Sequence, residues 1–310
     1  MPPKNTEQAI PHSIFFSCGH VIDRNTVVAP AQYNAYPDAY MSRVALKLRH
    51  EWANHDVDED MIGSVTFIEK EKRLLLLGRL GTVRTVATGS KPFIFENIRG
   101  QFKEEHIPSE SFGELLCIQA IDDVVYACGQ SLQIYQRRGQ QWQCANPELR
   151  EMAAPALESI HGSAPNNIYA VGEKGVILHF NGVSWKPLDS PTNRPLSRVF
   201  CVSEDEVYLC GNDGAIFKGN KNQWQFIGDP DFQKNFWDMA LFEGNLYLAY
   251  PGGLVICRDG SLTPVSFGLE EKPGCYHLHA NDGQLWSFGI DDLLAFDGKQ
   301  WRVVICPENV

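Results

Sequence analysis

The second half of the chain repeats with a period of 39 residues. Related tetrads begin at Tyr169 (YAVG), Tyr208 (YLCG), Tyr247 (YLAY) and Trp286 (WSFG), and a further tetrad (YACG) begins at Tyr126. Two other sets of residues keep the same register to within a few positions. They are Trp142, Trp185, Trp224 and Trp301, and Ile160, Val199, Asp238 and His277. Several columns in one register predict a fold that is built from stacked copies of one unit.

Each unit contains four strand-like segments. In the copy that ends at residue 188 they read LESIHG, NIYAVG, GVILHF and SWKPL, and the turns between the last three are GEKG and Asn181-Gly182. Asn-Gly favours the tight turns that join antiparallel strands. Four strands in about 40 residues are typical of a β-propeller blade. The sequence therefore predicts an all-β, single-domain β-propeller of four-stranded antiparallel blades over residues 1–310.

The repeat predicts seven blades, with six as the alternative because residues 20–60 match the unit poorly. The approximate blades are 11–60, 62–100, 115–150, 155–190, 195–230, 234–267 and 275–306. In the second blade KPFIFENI is predicted as the fourth strand. The equivalent second strands are predicted near Ile168–Val171, Val207–Cys210, Leu246–Ala249 and Leu285–Phe288.

Over residues 115–306 the unit resembles the propeller repeats of bacterial proteins in the broad sialidase-like and WD-repeat-like superfamilies. The Asp-box of sialidases is not reproduced in FNGVSW or FDGKQW, and the paired Gly-His and Trp-Asp of true WD repeats are absent. The resemblance implies the fold and no particular activity, because propellers carry many unrelated functions.

The charge of the chain limits the kind of partner. It has 38 acidic against 27 basic residues and a formal net charge of -11. Nucleic-acid binding requires a basic surface, so that class of partner is disfavoured, whereas a basic protein suits an acidic surface. The alternative is that the acidic residues serve only solubility.

The cysteines and the hydrophobic runs predict a cytoplasmic protein with no membrane partner. The nine cysteines include no Cys-x-x-Cys pair and mostly lie in apolar runs, as buried, reduced thiols do. No run reaches the length of a membrane span, and the N-terminal apolar run is too short for a secretion signal.

No constellation of catalytic residues stands out, so no catalytic residue, cofactor or metal is predicted. The best metal-like feature is His277 and His279, which share one face of a strand. Zinc sites need three or four ligands, so two partly buried histidines in a polar channel are the preferred interpretation.

The connections between successive units combine acidic and aromatic residues on what should be one rim of the propeller. Such loops on a rigid scaffold suit protein recognition. The predicted partner-binding residues are Glu173, Asp213, Asp229, Asp231, Trp237, Glu270, Glu271, Tyr276, Asp291 and Asp292.

The function predicted from these features is that of a non-enzymatic, protein-binding propeller. Its specific form is an immunity protein that neutralises a basic bacterial toxin. Two alternatives remain open: a hydrolase or lyase that acts on a glycan in the central channel, and an assembly or scaffold factor.

Overall fold

A computed structural model describes residues 14–33, 41–88, 102–109, 111–258, 260–270, 272–290 and 292–307. This part of the chain forms seven antiparallel sheets, and each sheet uses strands that are consecutive in sequence. Within a sheet, the first strand is innermost and the last is outermost. The regular structure is almost entirely β; the turn Glu173–Gly175 forms a short 3-10 helix.

The strands of blades 1 to 3 are as follows: β1 Ile14–Phe16, β2 His20–Asp23, β3 Thr26–Tyr33, β4 Met41–Leu48 and β5 Glu51–Asp58; β6 Ile62–Ile68, β7 Arg73–Gly78, β8 Thr82–Ala87 and β9 Lys103–His106; β10 Leu115–Ile121, β11 Val124–Gly129, β12 Ile134–Arg138 and β13 Gln141–Cys144. Those of blades 4 and 5 are β14 Leu157–Ala164, β15 Asn167–Gly172, β16 Ile177–Phe180 and β17 Trp185–Pro187; β18 Leu196–Cys201, β19 Val207–Gly211, β20 Ile216–Asn220 and β21 Gln223–Phe226. Those of blades 6 and 7 are β22 Asp238–Phe242, β23 Asn245–Tyr250, β24 Gly253–Arg258 and β25 Ser261–Pro264; β26 Cys275–Asn281, β27 Gln284–Gly289, β28 Leu293–Phe296 and β29 Trp301–Val303.

The core consists of seven apolar clusters, each between two neighbouring blades. Successive residues of a second strand enter different clusters. Ile168 and Ala170 pack towards blade 3, whereas Tyr169 and Val171 pack towards blade 5. This alternation explains why the second strands are apolar on both faces. A cluster between blades 7 and 1, which includes Phe16 and Phe288, closes the ring.

The predicted all-β, seven-bladed fold is confirmed, and all four predicted second strands lie within β15, β19, β23 and β27. Blade 1 departs from the repeat because its inner strand is broken into β1 and β2, which both pair with β3. The fourth strand of blade 2 is β9, which pairs with β8. The segment KPFIFENI, which was predicted in its place, lies outside the described residues.

The cysteines agree with the prediction of reduced, buried thiols. All nine are free, and each is buried except Cys144, which is half-buried. Cys128 and Cys210 occupy equivalent positions in the tetrads of blades 3 and 5, and neither is exposed to solvent.

The glycine that ends most tetrads is required by packing. A Cβ on Gly172 would lie 1.9 Å from the carbonyl oxygen of Ala156, and one on Gly211 would lie 2.1 Å from that of Pro195. Both glycines face an irregularity at the start of the neighbouring inner strand, where one residue is left out of the pairing. Blade 6 has Tyr250 in place of the glycine, and its inner strand pairs without such an irregularity. The glycine therefore belongs to the bulge that begins each of these inner strands.

Substituting Gly172 by alanine is expected to lower the free energy of unfolding by about 2–3 kcal/mol, because the new methyl group overlaps a backbone oxygen. Gly274→Ala is the matched control, since its added Cβ would meet its nearest neighbour at 3.6 Å, an ordinary contact. Chemical denaturation of both variants measures the difference. Equal stability of the two variants would contradict the steric explanation.

Candidate functional site

One end of the propeller carries all the long connections between blades. Because each sheet is antiparallel, the turns between second and third strands lie at the same end as the connections from one blade to the next. We call this end the loop face. Its described parts are the connections 59–61, 107–109, 111–114, 145–156, 188–195, 227–237, 265–270 and 272–274, and the turns 79–81, 130–133, 173–176, 212–215, 251–252, 290 and 292.

Backbone hydrogen bonds join the turns of the loop face to the neighbouring connections. The amide of Glu173 donates to the carbonyl of Ala156 at 2.9 Å, and the amide of Asn212 donates to the carbonyl of Pro195 at 3.0 Å. The same bond joins turn and connection in blade 7, from Ile290 to the carbonyl of Gly274 at 2.9 Å. Loops held in this way present their side chains in a defined arrangement.

Exposed apolar side chains distinguish the loop face from the opposite end. Leu80, Met152, Leu269 and Ile290 lie in its loops, and Met152 is 71% exposed. The described turns of the opposite end are mostly short hairpins, where the exposed large apolar residues are Val183 and Val202. Acids outnumber bases in the described turns of both ends, so charge alone does not select a face. Loop length and exposed apolar surface favour the loop face for binding.

Of the predicted partner-binding residues that the structure describes, Tyr276 is the second residue of β26 and the others lie in the loops of the loop face. Glu271 and Asp291 lie outside the described residues. Three of the acids also have structural roles: Glu173 accepts from the amide of Ala156 at 3.0 Å, Asp292 accepts from that of Gly274 at 3.3 Å, and Asp213 pairs with an arginine, Arg194, at 3.5 Å. The remaining acids are Asp229, Asp231 and Glu270, which lie in the connections before and after blade 6.

Trp237, the last residue of a loop-face connection, and Tyr276, in β26, both line the mouth of the central channel. Their ring centroids are 4.9 Å apart, and Phe15 contacts Tyr276 at 5.6 Å. These rings form one wall of a cavity of about 340 Å³ that the inner strands surround. We call this cavity the channel mouth. Its charged or titratable lining residues are Arg79, Glu158, Arg198, Asp238 and His277.

Asp238 is buried at the channel mouth and is held by groups from three blades. Its carboxylate lies 2.9 Å from Arg198 Nε and 2.6 Å from His277 Nδ1, and it accepts hydrogen bonds from the amides of Met239 and Leu278. Burial by itself would raise the pKa of Asp238, but the charge of Arg198, with help from His277, holds the pKa below its usual value. The carboxylate is therefore an ionised link between blades 5, 6 and 7.

His277 and His279 close the ring of blades. His277 Nε2 lies 3.0 Å from the carbonyl oxygen of Gly19, and His279 Nδ1 accepts a hydrogen bond from the amide of Val21 at 3.2 Å. Both contacts join blade 7 to blade 1. Among the residues that the structure describes, no group of three or more His, Cys, Asp or Glu side chains could hold a metal ion.

The sequence alignment placed Asp238 and His277 in one column with Ile160 and Val199. For Ile160 and Val199 this assignment is wrong by one residue. The strand register aligns Asp238 and His277 with Ser159 and Arg198, because the spacing from first to second strand is one residue longer in blades 4 and 5. Ile160 and Val199 are buried in clusters between blades. The correct column is polar and faces the channel.

Three half-buried histidines make stability depend on pH. Burial lowers the pKa of His20 to about 3 and that of His161 to about 4, and burial also lowers the pKa of His279. In the unfolded chain each titrates near pH 6.5. Between these values the unfolded state binds more protons, so stability falls as pH drops below about 6.5.

We therefore expect the midpoint of the unfolding curve to decrease as the pH is lowered from 7 to 5. Unfolding near pH 5 should take up about two to three protons. His161→Asn removes one titrating ring while leaving an acceptor for the amide of Cys201, which donates to His161 Nδ1 at 3.0 Å. This variant should take up about one proton fewer on unfolding. Unfolding curves at several pH values test this, and an identical pH dependence of wild type and variant would refute it.

Arg79, Glu158 and Arg198 were missed as candidate site residues. Glu158 and Arg198 occur in the segments LESIHG and LSRVFC, which the repeat identifies as inner strands. A charged residue in a strand that lines a channel was the available signal. Arg79 directly follows the glycine of its blade, and the sequence alone does not indicate that its side chain reaches the channel.

Structural comparison confirms the class of protein. The chain is similar to the WD40 β-propeller domain of Doa1, with a TM-score of 0.69 and 14% identity over 96% of this chain and 95% of that chain. It is similar also to YCF48 bound to D1 peptide, with a TM-score of 0.67 and 14% identity over 96% of this chain and 93% of that one. YCF48 from Cyanidioschyzon merolae gives a TM-score of 0.67 and 12% identity over 92% and 96% of the two chains. These likenesses establish the fold alone.

The chain is thus a seven-bladed β-propeller whose long loops lie at one end. No family model matches it. The immune protein Tsi7 of Pseudomonas aeruginosa is 33% identical over 265 residues, which cover 81% of this chain and 83% of Tsi7. The chain belongs to the family of this immune protein. The prediction of a protein-binding propeller of the immunity type is confirmed by this relative.

No helix among the described residues is long and apolar enough to cross a membrane.

Proposed function

We propose that the chain is an immunity protein that binds a toxic protein through its loop face and blocks the action of that toxin. The observation that carries this proposal is the similarity to the immune protein Tsi7 over most of both chains. Immunity of this kind requires tight recognition of one partner, and a rigid propeller with long loops at one end suits that task.

The proposed contact surface combines an apolar and an acidic part. Met152, Leu269 and Ile290 are exposed apolar residues, and Glu270 and Asp231 are exposed acids for which no described residue is an ion-pair partner. Apolar side chains would supply affinity once water is excluded, and the acids would steer a basic toxin into contact. The predicted residues Glu271 and Asp291 belong to the same proposal by their position in sequence.

We further propose that the protein has no catalytic activity of its own. A glycan-acting enzyme needs two available carboxyl groups. At the channel mouth Asp238 is already engaged by Arg198, His277 and two backbone amides, which leaves Glu158 as the available carboxyl of the described lining. The free cysteines agree with a reducing compartment, and the cytoplasm remains the predicted location.

The proposal is tested with the proteins encoded by the genes on either side of the gene of this chain. A flanking product that stops the growth of cells is the candidate partner, and we call it the neighbouring toxin. Mixing the purified proteins should give a stoichiometric complex in size-exclusion chromatography, with a dissociation constant in the nanomolar range or below measured by calorimetry. An unrelated basic protein of similar size serves as the control for charge attraction. Failure of the neighbouring toxin to bind, or equal binding of the control, would overturn the proposal.

A further inference from the structure

Arg198 lies inside the central channel of the propeller. Its Nε is occupied by Asp238, but its two terminal nitrogens have no partner among the described residues. The side chain is 20% exposed although it lies inside the channel, and it lines the channel mouth. When an arginine is held through Nε, its Nη1 and Nη2 groups can still donate two parallel hydrogen bonds to a planar anion such as a carboxylate.

The contacts behind Arg198 fix its orientation. Asp238 is itself held by His277 and by the amide of Leu278, and His277 rests on the carbonyl oxygen of Gly19. This chain of contacts runs through blades 5, 6, 7 and 1. A guanidinium that is held in this way loses little conformational freedom when a ligand binds.

Other groups of the channel mouth favour the same kind of ligand. Arg79 also lines it. Among the described residues the buried Nε of Arg79 has no hydrogen-bond partner, while its Nη1 pairs with Glu114 at 3.0 Å. Phe15, Trp237 and Tyr276 form an aromatic wall that reduces competition from water. Electrostatic contacts are stronger in such a partly enclosed space than in open solvent.

Glu158 is the group that opposes an anion. It lines the cavity and forms no ion pair with a described residue. Burial raises the pKa of Glu158, Glu173 raises it further, and Arg79 opposes the shift. Glu158 is therefore easier to neutralise than an ordinary glutamate, and once protonated it can donate a hydrogen bond to an anion.

From this arrangement we propose that the channel mouth is a carboxylate-binding site, in which Arg198 receives an aspartate or glutamate side chain of the bound partner. The source of the carboxylate rests on the proposed function, whereas the site itself does not. The acidic loop face would then attract a basic toxin, and one acidic side chain of the toxin, bound to Arg198 at the centre of the face, would fix the orientation of the complex.

The site is tested without the partner by titrating the isotopically labelled protein with sodium acetate and following the Arg198 Nε–H resonance by NMR. Sodium chloride controls for ionic strength, and methylguanidinium chloride is the cationic probe. We expect saturable acetate binding that chloride and methylguanidinium do not reproduce. Preferential binding of methylguanidinium, or no saturable shift with acetate, would overturn the proposal.

Two substitutions should act in opposite directions. Acetate affinity, followed at the resonances of the channel-mouth residues in each variant, should fall by about tenfold or more in Arg198→Gln, because the charged donor is lost. It should rise several-fold in Glu158→Gln, because a repelling charge is removed. Arg198→Lys preserves the positive charge beside Asp238 but lacks the paired N–H donors of arginine, so its acetate affinity should fall by an intermediate amount. Arg194→Gln removes a positive charge from the loop face outside the cavity and should leave the affinity unchanged.

The same variants separate this inference from the proposed function. With the neighbouring toxin, Arg198→Gln should weaken the complex and Glu158→Gln should not. If the wild-type protein binds the toxin but both variants bind equally well, the carboxylate site is wrong and the immunity function stands. The reverse pattern, in which Glu158→Gln weakens binding and Arg198→Gln strengthens it, would show that the cavity receives a cation instead.

Discussion

Replacing Asp238 by alanine is expected to lower the free energy of unfolding by about 3–5 kcal/mol, the usual cost of removing one member of a buried ion pair. The loss leaves the guanidinium of Arg198 inside the channel without its counter-ion, and it leaves the amides of Met239 and Leu278 without their acceptor. The contact with His277 Nδ1, at 2.6 Å, is lost as well. Chemical denaturation at neutral pH measures the effect.

Two controls show whether charge or space is responsible. Asp238→Asn keeps the volume and one acceptor oxygen, so a smaller loss of stability is expected than for alanine. Asp231→Ala removes an exposed acid on the loop face and should change stability by less than about 0.5 kcal/mol. If Asp238→Ala were as stable as Asp231→Ala, the link between blades 5, 6 and 7 would have no energetic importance.

Reversing the charge of Glu270 and Glu271 to lysine is expected to slow association with the toxin by about tenfold or more at low salt. The acids lie, by sequence, in the connection before blade 7, where they would attract the basic toxin of the proposed function. The difference from wild type should shrink as salt rises, because screening removes long-range attraction. Stopped-flow or biosensor kinetics at several salt concentrations measure this.

The matched control reverses two adjacent acids at the opposite end, Glu204 and Asp205. Glu204 forms only an exposed pair with Lys221, so the change should cost little stability. This variant alters the net charge as much as Glu270→Lys with Glu271→Lys does. Equal slowing by both pairs would mean that net charge, and not the loop face, determines association.

Trp237 requires a separate measurement. It is half-buried and packs on Tyr276, so Trp237→Ala should both speed dissociation and lower stability. A melting curve recorded beside the binding kinetics distinguishes a contact residue from a purely structural one. Faster dissociation by a variant that remains folded at the assay temperature would identify an anchor.

The repeat made the fold predictable because every blade packs between two neighbouring blades in the same way. The tetrads identify second strands that are buried on both sides, and their final glycine is tied to the bulge at the start of the inner strand. Blade 1 could not be predicted in detail, since its inner strand is split into β1 and β2 and its second strand, β3, carries no tetrad of the repeat.

The channel mouth was harder to predict because it depends on register between distant strands. A single extra residue between first and second strands in blades 4 and 5 shifts Arg198 into the column of Asp238 and His277. In a strand such a shift exchanges the channel face for the packed face. The acidic loops were visible in the sequence, whereas the pairing of Arg198 with Asp238 required the three-dimensional alignment.

Growth of cells that produce the neighbouring toxin tests the central claim most directly. Cells that make the toxin alone should stop growing, and cells that also make this chain should grow at the rate of cells without toxin. The variant with Glu270→Lys and Glu271→Lys, produced at equal level, should protect less well than the variant with both Glu204 and Asp205 reversed. Growth arrest despite abundant, folded wild-type protein would contradict the account.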